Sequence, residues 1–109
     1  MKVISSDLLR GHIDTFVLSA LMSGTKYGNE IRKYITKKTN NLYVPNEQSL
    51  YSAYHRLEDM ECIKGTWGEN VGVGATRKYY TITQKGRELY EVNKREWENA
   101  KILIDILIK

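Results

Sequence analysis

The sequence predicts an α+β fold that is mostly α: three helices, a two-stranded hairpin and a long closing helix. Three observations lead there. Apolar residues recur at helical spacing through the first 61 positions. β-branched and aromatic residues then cluster on both sides of a glycine-rich run at 68–74. From Gln84 to the last residue, Lys109, a helical pattern continues with no proline and one glycine, Gly86.

The first helix is predicted over about residues 5–22, where Leu9, Ile13, Phe16, Val17 and Ala20 share a face. Ser6 or Asp7 is placed to cap it, and Ser23-Gly24 to end it. The second begins around Tyr27, carries Tyr27, Ile31, Tyr34 and Ile35 on one side, and breaks at Thr39-Asn40-Asn41. The third follows Pro45, with Asn46 as N-cap and Glu47 in the first turn, where a carboxylate complements the helix dipole. It runs to about Glu61. Residues 62–67 and 77–83 form the strands of a hairpin with a flexible, glycine-rich tip. There is no repeat or linker. The 109 residues amount to one structural domain, with a body at 1–83 and a closing helix at 84–109.

Hydrophobic residues are 41% and charged residues 28% of the chain, a globular balance rather than a disordered one. A net charge of +4 favours a polyanionic partner. The single cysteine, Cys62, excludes an internal disulfide framework and, without a secretion-type leader, points to the reducing cytoplasm. The most apolar stretch, 102–108, is interrupted by Asp105 and is too short to span a bilayer. The expectation is a cytoplasmic protein with no membrane partner.

Three helices followed by a hairpin is the layout of a winged helix-turn-helix, whose last helix before the wing enters the DNA major groove. The third helix passes a test of sidedness. With Leu50 at the centre of the apolar face and about 100° per residue, Ala53, Tyr54 and Leu57 lie beside it. Gln48, Ser52 and His55 fall opposite, with Tyr51 at the edge, and can exchange hydrogen bonds with base edges. On the second helix, Lys26, Asn29, Lys33 and Lys37 gather away from the apolar side, placed for backbone phosphates. Lys64, Arg77 and Lys78 flank the wing, and Asn46, Ser49 and Arg56 complete the candidate DNA interface. The glycines at 72–74 superficially resemble a phosphate-cradling loop, but a strand rather than a helix follows them.

On the closing helix Tyr90, Trp97 and Ile104 recur every seven residues, with Ala100 and Leu107 at the companion offset. This seam, together with Leu9, is the candidate dimer interface, and a two-fold dimer presents two recognition helices to a palindromic operator. The last turns are apolar nearly all round and need cover, from a second subunit and from the chain's own first helix. Enzymatic chemistry has no constellation: His12 and His55 have no ligand partners at helical spacing, and no nucleophile–base–orienter set exists. No catalytic residue, metal site or cofactor is expected. The competing class is a winged-helix module that binds protein, which a salt-independent affinity would favour.

These residues resemble the PadR family of transcriptional regulators. The resemblance covers nearly the whole chain and is carried by residues 8–14 (LLRGHID), 27–31 (YGNEI), 49–58 (SLYSAYHRLE), Trp67-Gly68 and 77–86 (RKYYTITQKG). The family commonly has proline after the leucine–tyrosine pair, where this chain has Ser52. The single terminal helix resembles the short subfamily of dimeric repressors. Trp97 matches a tryptophan that stacks on flat aromatic drugs between subunits in the lactococcal multidrug-responsive repressor, which implies a planar aromatic effector near Trp97.

Overall fold

The first helix is three pieces rather than one. In the computed structural model, which describes residues 4–68 and 77–109, α1 spans Ser6–Leu9, a 3-10 turn spans Arg10–His12, and α2 spans Ile13–Met22. The cap is Ser5, not Ser6 or Asp7; its hydroxyl accepts from the Leu8 backbone N–H. Gly11 lies in the 3-10 turn. Glycine is about 1 kcal/mol poorer than alanine within a helix, so the irregularity falls where the segment is weakest.

α2 is the central strut. Val17, Leu18, Ala20 and Leu21 are essentially fully buried. A short strand the sequence did not reveal, β1 (Lys26–Tyr27), follows. Tyr27 therefore precedes α3 (Gly28–Lys38) as its N-cap instead of lying inside it, and its backbone N–H donates to the Glu30 carboxylate at 3.0 Å. Ile31 and Ile35 carry α3 into the core. Asn40 and Asn41, with φ of 51° and 66°, turn the chain away after it.

Asn46 caps α4 (Glu47–Asp59) as its sequence position indicates: Oδ1 accepts from Gln48 N at 2.8 Å and Ser49 N at 3.2 Å. The helix stops two residues short of Glu61, which takes a left-handed φ of 60°. Cys62 is buried just beyond, where desolvation pushes its thiol pKa up. It is a small core residue. β2 (Ile63–Trp67) and β3 (Lys78–Ile82) pair antiparallel, and β1 joins β3 on the other side, giving the order β1-β3-β2. Ile63 opposite Ile82 faces the core, as does Tyr80. Residues 69–76, which include most of the glycine-rich tip, lie outside the described residues.

α5 (Gln84–Ile108) starts at Thr83, whose hydroxyl accepts from Gly86 N at 3.0 Å. At 1.5 Å per residue it runs for about 37 Å. Only its first half is seated: Gly86 is buried, Leu89 and Tyr90 pack on the core, and Asn93 Nδ2 donates to Thr15 Oγ1 at 2.8 Å. Among the described residues no helix is long and apolar enough to cross a membrane.

Candidate nucleic-acid interface

The sidedness of α4 follows the angular arithmetic. Leu50, Ala53, Tyr54 and Leu57 are buried, while Gln48, Ser49, Tyr51, Ser52 and His55 are exposed. The rings of Tyr51 and His55 meet edge to face at 4.6 Å and stiffen that surface. Two contacts fix the helix on the body. Tyr54 Oη donates to the Gly28 carbonyl at 3.2 Å, tying α4 to α3. Arg56 grips Asp14 of α2 with Nη2 at 2.6 Å and Nε at 3.2 Å. The hydrogen bond to Asp14 holds the Arg56 guanidinium pKa above its ordinary value. Arg56 thus positions the helix, and its charge is balanced within the fold.

The other predicted cations divide in the same way. Lys33 and Lys64 are exposed, as is Asn29 at the start of α3. Arg77 is exposed and lies over the Tyr27 ring at 4.5 Å. Lys26 is engaged internally: Nζ donates to the Ala20 carbonyl at 2.8 Å and Ser23 Oγ at 2.6 Å, closing the C-terminus of α2. Lys78 is half-buried, paired with Glu58 at 3.0 Å and flanked by Trp67 and Tyr80. The absent side chain of Gly65 makes room for that pair, since a Cβ there would crowd Lys78 and lie 2.7 Å from Glu58 Oε2. Asp14 and Glu58 are therefore anchors of two candidate interface cations, and sequence reasoning missed both. Their partners lie 42 and 20 residues away, a separation with no local signal.

On α5, Tyr90 and Ala100 are half-buried, and so is Leu9 on α1. Trp97 is 45% exposed and stands edge-on to His12 at 5.2 Å. His12, unassigned from sequence, in turn stacks near Phe16. Ile104 is 44% and Leu107 74% exposed. The apolar last turns are uncovered by the chain's own first helix, contrary to the expectation that it would share in covering them.

A helix-turn-helix of α3 and α4, with α4 polar outward and a hairpin beside it, defines a winged-helix DNA-binding protein. The Transcriptional regulator PadR-like family matches residues 17–92, and the chain belongs to that family of transcription regulators, which are not enzymes. The solved structure of a transcriptional regulator from Clostridium thermocellum is 46% identical, with a TM-score of 0.89 over 98% of this chain and 100% of that one. A PadR family transcription regulator from Clostridium difficile is 29% identical, with a TM-score of 0.75 over 91% of this chain and 100% of its own. An uncharacterised protein of Lysinibacillus sphaericus is 36% identical over 98% of this chain and 97% of its own length.

Proposed function

We propose that the chain acts in the cytoplasm as a homodimeric repressor, presenting two copies of α4 to a palindromic double-stranded operator. In this reading Gln48, Ser52 and His55 face base edges, while Asn29, Lys33, Lys64 and Arg77 neutralise or bond the phosphates. The observation that carries the dimer is the end of α5. Ile102, Leu103, Ile104, Ile106, Leu107 and Ile108 are 44–79% exposed on a helix whose first half is firmly seated. A contiguous apolar surface of this kind supports a subunit contact, and a pairing seam on a terminal helix can be self-complementary across a two-fold axis. Light scattering at micromolar concentration is expected to return a dimer mass. Ile104→Gln with Leu107→Gln should lower that mass and the affinity for selected DNA together; a monomeric parent that still binds a palindrome with full affinity would overturn the reading.

A planar aromatic effector at Trp97 is a second element of the proposal, favoured by the half-exposed indole beside His12. A ligand stacked there relieves repression only by favouring dimer geometries that bind DNA less well. In a Trp67→Phe background, planar cationic dyes should quench Trp97 fluorescence and weaken DNA binding. Trp97→Ala should lose the dye's effect on DNA binding yet bind DNA normally without dye. Dyes that leave both signals of the parent unchanged would remove the effector from the proposal.

A further inference from the structure

Polar and aromatic contacts to two different helices meet on the short run from His12 to Phe16, where the 3-10 turn passes into α2. Asp14 reaches α4: its carboxylate accepts from Arg56 Nη2 at 2.6 Å and from Nε at 3.2 Å. The next residue, Thr15, reaches α5, accepting from Asn93 Nδ2 at 2.8 Å. Neighbours on a helix stand about 100° apart around its axis, so a single turn of α2 holds both helices. His12 stands edge-on to Trp97 of α5 at 5.2 Å and stacks near Phe16 at 6.2 Å. Phe16 in turn meets the ring of Tyr43 at 5.6 Å, in the segment that leads to the Asn46 cap of α4. α4 is therefore tied to this run on both sides, by Arg56 near its C-terminus and by Tyr43 ahead of its N-terminus.

Apolar burial is non-directional and lets packed helices slide a little. The polar contacts do not. Two donor atoms of one planar guanidinium fix both the distance and the orientation of the Asp14 carboxylate. Just beyond, Val17 and Leu18 are fully buried, and a close-packed interior transmits strain rather than absorbing it. On the other side lies Gly11, where an added Cβ would meet nothing within 4 Å. The run is thus held stiffly by α2 and has room to shift at the 3-10 turn, which carries His12.

We propose that Asp14 is a positioning residue that couples α4 to α5. When DNA engages α4, the Arg56–Asp14 pair carries the change in that helix's orientation into α2, and Thr15 and His12 pass it to Asn93 and Trp97. The inference rests on the DNA-binding reading and assigns the route from the helix that meets DNA to the helix that carries the candidate subunit seam. Trp97 supplies the readout, because indole emission depends on what stands beside the ring. In a Trp67→Phe background, a duplex recovered by in vitro selection is titrated at a protein concentration where dilution no longer changes the mass. Trp97 emission should shift in proportion to DNA occupancy, followed independently by the anisotropy of the labelled duplex. Asp14→Asn and Thr15→Val should each still bind the duplex and lose most of the shift. Asp7→Asn, which removes an equally short ion pair to Arg10 outside the run, should keep it. A merely structural Asp14 would lower stability and leave the shift intact, so an Asp14→Asn variant that keeps it overturns the inference. So does a parent whose Trp97 emission is unchanged at full occupancy, or an Asp7→Asn variant that loses the shift alike. A parent that binds no duplex would instead overturn the DNA-binding reading.

Discussion

Replacing Gly86 with alanine tests whether close seating of α5 on the hairpin holds the molecule together. Gly86 sits in the first turn of α5, and an added Cβ would overlap the Cys62 carbonyl oxygen. It would also stand 2.8 Å from Ile82 Cγ1 and 3.0 Å from the Cys62 carbonyl carbon, well inside the optimum of about 3.5–4.0 Å for carbon atoms. Two of these three atoms, the Cys62 carbonyl oxygen and carbon, are backbone, so no rotamer change relieves them. The Cys62 carbonyl accepts from Thr83 N at 3.0 Å, and a displacement of the strand strains that bond. Overpacking of this kind costs about 1–3 kcal/mol, and the weakened hydrogen bond adds about 1 kcal/mol. Alanine's helix propensity returns up to about 1 kcal/mol. The expected net loss is about 2 kcal/mol, a fall in Tm of roughly 10 °C for a domain of this size. Thermal melts at matched protein concentration measure it, since dimerisation makes Tm concentration-dependent. A Gly86→Ala variant as stable as the parent would refute the claim that this contact is close-packed.

Three further outcomes are expected. Gln48→Ala should relax discrimination at particular bases by about 1–3 kcal/mol, whereas Lys64→Gln should weaken all sequences alike; indistinguishable selection profiles would refute the division of roles. Asp14→Asn should destabilise by less than about 1 kcal/mol, because the ion pair is partly exposed. It should also release the Arg56 charge and steepen the salt dependence of DNA binding, and a shallower slope would count against it. Burial pushes the Tyr80 hydroxyl pKa up to about 12 and raises that of Tyr54 further, so the folded state keeps protons that the unfolded chain loses near pH 10.0. Stability from these groups is full below that pH and declines as pH rises toward about 12. Denaturant titrations across that range should show the decline, and Tyr54→Phe should reduce it.

The parts of the fold legible in the sequence were those written in local periodicity. Leu50, Ala53, Tyr54 and Leu57 announce the buried face of α4 because a helix repeats every 3.6 residues whatever it packs against. Asn46 is legible for the same reason, since a cap bonds to amides two and three residues away. β1 was not legible. Two residues show no alternation, and Lys26 and Tyr27 are a strand only because Tyr80 and Tyr79 lie opposite them. The break at residues 10–12 was hidden because Leu9, Ile13 and Phe16 keep helical spacing across it.

The site divides along the same line, and the division has a consequence for how affinity and readout are arranged. Counting the basic residues between Lys26 and Lys38 treats them as equivalent. In the fold Lys26 closes α2, Arg32 holds the Pro45 carbonyl, and Lys33 and Lys37 face outward. On α4 the one cation, Arg56, is balanced by Asp14, and the exposed middle of the helix carries the uncharged side chains of Gln48, Ser49, Tyr51, Ser52 and His55. The exposed face of α4 therefore carries side chains that can exchange hydrogen bonds, and the outward cations Lys33, Lys37, Lys64 and Arg77 stand on neighbouring segments. Phosphate attraction falls with salt and is blind to sequence, whereas base-edge bonds carry the discrimination. If the proposed division of roles holds, a substitution on α4 should change which operator is chosen without altering how tightly the backbone is held.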